Sequence, residues 1–192
     1  MSIKILAFAG SVRQESFNKK LIKVAAQAAQ KAGAEVTLVD LKDFPMPLMD
    51  QDLEAKDGMP EFAKKFKDLM LAHDGFLIST PEYNSSIPPL LKNVIDWASR
   101  KNSPTETPLL AYKGKIVGVV SAAPGALGGL RSLLTVRGIL EHVGVLVVPS
   151  QHAVGKAAEA FGPDGNLKDA AQRAAVEKVV QDLVQTIRKM KA

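Results

Sequence analysis

The sequence predicts an α/β fold in which a five-stranded parallel sheet of order 2-1-3-4-5 is wound in both directions, with helices on each face. Three observations predict it. Short apolar runs alternate with helical patterns from one end of the chain to the other. The runs lack the apolar-polar alternation of a sheet with one wet face, so both faces are buried. The loops after the first, third and fourth runs are each polar or glycine-rich, as the ligand-binding edge of such a sheet requires.

Taken in order, Ile3 to Ala9 (IKILAFA) is the first strand. From Phe17 to Lys31 the positions Leu21, Val24, Ala25, Ala28 and Ala32 recur at helical spacing, and Gly33 stands where a helix stops. Glu35 to Leu41 is the second strand, followed by a helix over Pro60 to His73 that gathers Phe62, Phe66, Leu69 and Met70 on one face. Gly75 to Ser79 is the third strand, and the helix after it starts at Pro88 or Pro89 and runs to Arg100. Lys115 to Ser121 is the fourth strand, Gly129 to Val143 a helix, and Gly144 to Val148 the fifth strand. Leu167 to Met190 closes the chain as an amphipathic helix carrying Val176, Val180, Leu183, Ile187 and Met190 on its apolar stripe. Two long segments, Lys42 to Met59 and Pro149 to Asn166, read as surface loops that shape a cleft or an interface. Within the first, Phe44 to Met49 (FPMPLM) is apolar enough to pack against something. The chain, 1–192, reads as a single domain: 192 residues at 46% hydrophobic composition can bury a continuous core without staples.

Composition removes several function classes. Without cysteine there is no disulfide, no thiol nucleophile, no cysteine-based phosphatase and no thiolate metal site, which fits a reducing compartment and makes the cytoplasm the default. The N-terminus opens on a strand-like segment, and no run reaches about 18 apolar residues, so neither export nor membrane spanning is expected. The net charge is +5, yet the 25 Lys and Arg residues are scattered and only 5% of residues are aromatic. The charge therefore reads as a mild field favouring anionic small molecules and not as a nucleic-acid surface.

The three loops at the carboxyl edge read GSVRQESFN, STPEYNSSIPP and SAAPGALGG. In the first, the amides that open the helix are unpaired donors at the positive end of its dipole. Ser11, Ser16, Asn18 and the forked guanidinium of Arg13 add further donors for a phosphate. A plain N-cap by Ser16 or Asn18 is the competing reading. Neither G-x-G-x-x-G nor a P-loop is present, and Asp40 at the end of the second strand reads as a turn or cap residue. In the second loop Pro81, Pro88 and Pro89 stiffen the backbone, while Glu82, Tyr83, Asn84, Ser85 and Ser86 suit a flat heteroaromatic ring; the alternative is a proline-rich turn capping the next helix. Trp97 reads either as core or as part of a partner-facing surface.

With those residues in view, GSVRQESFN after the first strand, PEYNSSIPPLLKNVIDWAS after the third and SAAPGALGG after the fourth resemble the bacterial NADPH-dependent FMN reductase family of the flavodoxin-like fold, which includes chromate, quinone and azo-dye reductases. The likeness spans nearly the whole chain. It implies that Ser11, Arg13, Ser16, Phe17 and Asn18 hold the FMN phosphate, that Pro81, Glu82, Tyr83 and Asn84 contact the isoalloxazine ring, and that Ser121 lies beside the flavin. It also implies NADPH or NADH as reductant, a small-molecule electron acceptor, and a homodimer or homotetramer with Trp97 and Lys101 to Tyr112 near the subunit boundary. Hydride transfer to a flavin needs no protein acid or base, which accords with the lack of a convergent histidine cluster. His73, His142 and His152 are expected to be structural or solvated. The same fold also serves one-electron carriers and FMN-binding modules; carriers of that kind are usually acidic, and this chain is basic.

Overall fold

The computed structural model describes residues 2–191. Its one five-stranded sheet is parallel throughout, in the order β2-β1-β3-β4-β5, with β1 over Ile3–Ala9, β2 over Ala34–Val39, β3 over Gly75–Ser79, β4 over Ile116–Ala122 and β5 over Leu146–Val154. Successive side chains of a strand point to opposite faces. Ile5, Ala7 and Ala9 therefore enter the core under α1 (Phe17–Lys31) and α7 (Ala170–Lys191), while Leu6 and Phe8 enter the core under α3 (Glu61–Ala72), α4 (Pro89–Ser99) and α5 (Leu130–His142). In that second core Phe66 stands edge-on to both Phe8 and Phe44, with ring centroids 5.2 and 5.4 Å away. Ala9 lies opposite Ser79, and Ser79 opposite Val120, so β1, β3 and β4 end almost level. That shared edge brings their loops together.

The structure departs from the sequence reading in four places. β5 does not stop at Val148 but runs to Val154. Val117 and Val119 are two positions apart on β4, whereas their partners Val147 and Gln151 are four apart on β5, so a bulge around Pro149 takes up the surplus. Proline is tolerated there because β5 is an edge strand. The supposed loop Lys42 to Met59 holds α2 (Gln51–Asp57), which buries no residue and so left no apolar periodicity to read; Asp50 caps it by accepting from the amides of Asp52 and Leu53. Leu41 belongs to a 3-10 turn, because the Asp40 carboxylate turns the chain by accepting from the Lys42 amide. Finally, α7 starts at Ala170, since Asp169 accepts from the amides of Ala171 and Gln172 and Leu167 is bridged to Phe161. The short α6 (Ala157–Ala160) lies just upstream.

Trp97 is core. It is fully buried, and its indole N–H donates to the Pro47 carbonyl at 2.8 Å. Asn93 donates to the same carbonyl and accepts from the Met49 amide, so α4 straps the Phe44–Met49 segment across its face. No helix among the described residues is long and apolar enough to cross a membrane.

Candidate functional site

Gly10 begins the first loop, and its amide donates to the Ser79 carbonyl at 2.9 Å. A Cβ at Gly10 would sit 3.1 Å from the Leu91 Cβ and 3.5 Å from the Pro81 ring, so glycine is what lets this loop pass against the second one and α4. At the other end of the loop Ser16 takes the extended N-cap backbone but makes no capping bond, and the first turn of α1 carries no acidic residue. The amides there keep their donor capacity at the positive pole of a 15-residue helix. Arg13 stands over the Phe17 ring at 5.3 Å, and the other end of that aromatic pair is Phe161, stacked at 6.5 Å.

Asn18 is buried and spends its carboxamide on the protein. Its Nδ2 donates to the Ala122 carbonyl at 2.8 Å, and its Oδ1 accepts from the Ala122 amide at 3.0 Å and the Ser79 hydroxyl at 2.9 Å. One side chain thus ties the start of α1 to the ends of β3 and β4.

In the second loop, Tyr83 and Ser86 bond to each other through both amides, and Asn84 and Ser85 between them have φ of 50° and 67°. This is the mirror-image turn of a tight hairpin, and asparagine at its first corner is the residue that tolerates it best. The turn leaves Tyr83 half exposed. Glu82 accepts from the Arg131 backbone N–H at 3.1 Å and from its Nε at 2.9 Å, which fixes the loop to the start of α5. In the third loop, the buried Ser121 hydroxyl donates to the Gly128 carbonyl at 2.8 Å. Gly128 has φ of 62°, and any Cβ there would lie 2.5 Å from the Val154 carbonyl carbon, so this loop is fitted closely to the end of β5.

Between the loops opens a cavity of about 150 Å³, lined by Ser11, Arg13, Ser16, Phe17, Asn18, Pro81, Glu82 and Tyr83 together with Ala122, Ala123 and Pro124. Two residues expected at the site are not on its wall: Asn84 forms the turn, and Ser121 is turned inward to Gly128. Sequence reasoning missed Phe161. Arg131 acts through Glu82, and nothing in the order of residues foretold that Phe161 would fold back onto Phe17. The histidines stand away from this wall. His73 bridges the Leu69 carbonyl and the Thr37 hydroxyl at 2.6 and 2.7 Å, His142 is exposed, and His152 lies on β5, where burial pushes its pKa down against the opposing pull of Asp169. Among the described residues no three potential metal ligands cluster.

Residues 3–159 match the family described as NADPH-dependent FMN reductase. The chain belongs to that family. Similar proteins include a quinone reductase of Pseudomonas putida, 37% identical over 83% of this chain and 82% of that one, and an NAD(P)H-dependent FMN reductase of Pseudomonas aeruginosa, 31% identical over 98% and 97%. Among solved structures, FerB, a flavoenzyme NAD(P)H:(acceptor) oxidoreductase from Paracoccus denitrificans, superposes with a TM-score of 0.81 at 30% identity, covering 97% of this chain and 98% of FerB. This FMN reductase family member is an oxidoreductase whose cofactors are FMN and NAD(P)H. Its residues fit such a cofactor on their own chemistry. The uncapped amides of α1, the Ser11 and Ser16 hydroxyls and the Arg13 guanidinium are donors that could receive an anion, and the proline-stiffened second loop forms the opposite wall.

Proposed function

We propose that this protein is an FMN-dependent NAD(P)H:quinone oxidoreductase, with quinones and free flavin as acceptors and chromate and azo compounds as further ones. The observation that carries the reading is the uncapped start of α1, opening with Arg13 into a cavity whose other wall is Pro81, Glu82 and Tyr83. When bound, FMN supplies the hydride-accepting and electron-passing chemistry. Ser11, Arg13, Ser16 and the α1 amides would hold the phosphate, and Phe17 steadies the Arg13 guanidinium. Pro81, Glu82 and Tyr83 would form the ring side of the site, with Asn84 shaping the turn behind them and Glu82 anchored by Arg131. At about 150 Å³ the cavity is smaller than the ~300 Å³ at which pockets for whole drug-sized ligands begin, so its walled part would accept the phosphate end of such a cofactor. Asn18 and Ser121 act behind the wall: Asn18 joins the strand ends, and Ser121 holds the third loop in place. We place this activity in a single domain, in the cytoplasm, and in a homodimer or homotetramer.

The test is direct. Purified protein with FMN and NADPH is followed at the NADPH absorbance band with and without benzoquinone. Acceptor-dependent oxidation is expected. Stoichiometric flavin binding without oxidation by any acceptor would leave an electron carrier or binding module instead.

A further inference from the structure

A second cavity exceeds the one between the three loops in size. It measures about 540 Å³, within the range of small-molecule sites, and lies on the other flank of the first loop, where β1 and β2 end. The two cavities share the loop as a wall but no residue: Ser11, Arg13 and Ser16 line the first, while Val12, Gln14 and Glu15 line the second. The larger cleft is built in place. Lys19 reaches across its base to donate to the Val12 carbonyl at 3.3 Å and to the Asp40 carboxylate at 2.5 Å, stapling the first loop to the end of β2.

Its lining combines three chemistries. Val12 and Leu38 are large apolar residues left 46% and 43% exposed, an arrangement that suits the faces of a flat ring. Asp40 stands just past the carboxyl end of β2, where parallel α/β sheets that bind dinucleotides place an acid for the hydroxyls of a ribose. One oxygen of Asp40 takes Lys19 and the other takes the Lys42 amide, and a carboxylate offers about four acceptor positions, so capacity for a ribose hydroxyl remains. Third, Lys20 is paired with Glu15 and Lys19 with Asp40, but among the described residues Lys23 and Lys42 have no carboxylate within ion-pair distance. Those two cations have the chemistry to receive a phosphate. The α1 amides serve the other flank, and the glycines of a dinucleotide loop are missing, so phosphate recognition in this cleft falls to side chains.

We propose that this cleft binds an adenosine 5'-phosphate, with the base against Val12 and Leu38, a ribose hydroxyl on Asp40 and the phosphate on Lys23 and Lys42. The chemistry is shared by the adenosine half of NAD(P)H and by a free adenine nucleotide; the first source rests on the function proposed above, the second does not. The experiment titrates the FMN-loaded chain with 5'-AMP by calorimetry, beside adenosine and the 2'-deoxy and 3'-deoxy forms of adenosine 5'-monophosphate. It repeats the titration with the Lys23→Glu/Lys42→Glu variant, whose exposed substitutions leave the core untouched. Saturable one-to-one AMP binding is expected, weakened at least tenfold by the variant and several-fold by removing the phosphate or the hydroxyl. A parallel rise in KM for NADH and NADPH at constant kcat identifies the ligand as the coenzyme's adenosine half; an unchanged KM identifies a separate nucleotide. No saturable AMP binding, or equal affinity in the variant, overturns the site. A chain that binds AMP here but oxidises no NAD(P)H would overturn the proposed function and leave this site standing.

Discussion

Three hydrogen bonds end on the carboxamide of Asn18, and all three partners belong to strand ends: the amide and carbonyl of Ala122 and the hydroxyl of Ser79. A residue so occupied has little left for a ligand. It differs from Arg13, whose guanidinium is exposed above Phe17. The two make opposite predictions. Arg13→Glu should weaken FMN by tenfold or more and barely affect riboflavin, which lacks the phosphate. Asn18→Ala should weaken FMN and riboflavin by similar factors and lower stability by about 1–3 kcal/mol, the penalty of buried polar groups left unpaired. Fluorescence titration with both flavins separates the cases; an Asn18→Ala loss confined to FMN would return this residue to the phosphate. Sequence alone grouped Asn18 with the anion ligands because it follows Arg13 and Ser16 in the chain. Which way a carboxamide points depends on strand ends 61 and 104 residues away, and no local spacing contains that.

Elements of this fold are held by polar ties as well as by their apolar faces. Lys67 of α3 is 1% exposed, and it donates to the Arg100 carbonyl at 2.5 Å and to the Glu106 carboxylate, pinning the segment between α4 and β4. Glu106 also accepts from the Asn102 amide; burial raises its pKa, but the Lys67 and Asn102 bonds outweigh it and hold the carboxyl below its ordinary value. Lys67→Met should destabilise by about 1–3 kcal/mol, because it takes the cation from a partly buried carboxylate. Urea unfolding at neutral pH measures it, and a loss under 1 kcal/mol would show that the tie is dispensable. The pH sign follows from the lowered value. The stabilisation is complete above the unfolded glutamate pKa of about 4.3 and disappears as pH falls through the folded one. The stability difference between wild type and Lys67→Met should therefore shrink in acid. The strands and the helices with apolar stripes were legible from periodicity to within a few residues, β1 and β3 at both ends. The far half of β5 was not, because Pro149 mimics a strand end and only the bulge opposite Val117 and Val119 shows otherwise. Nor was α2, which has no buried face to leave a pattern.

At the scale of the molecule, the site is a property of topology. Because β1, β3 and β4 end level, three segments separated by tens of residues form one wall, and the loops that sequence singled out are the ones that meet. Ligand that bridges those loops should stabilise the whole fold through mass action: FMN at a hundred times its dissociation constant adds about 2.7 kcal/mol. In a scanning thermal melt that appears as a rise of several degrees in Tm, larger for FMN than for riboflavin at equal concentration. A Tm that FMN does not move would mean that the loops close on nothing. The acid limb of stability should follow the same global logic. The Asp40, Asp74 and Glu106 carboxyls are all buried enough to be pushed up yet are pulled below their ordinary values by lysines and backbone amides, so each loses its contribution as pH drops through its folded pKa.

The strapping of Pro47 onto Trp97 has a practical corollary. The chain has a single tryptophan, so its ultraviolet emission comes from one known address, a dry indole on α4 beneath the Phe44–Met49 strap. A red shift in that emission at mild denaturant, ahead of the loss of helical dichroism, would time the peeling of the strap; coincident shifts would mean that the strap lets go only when everything does.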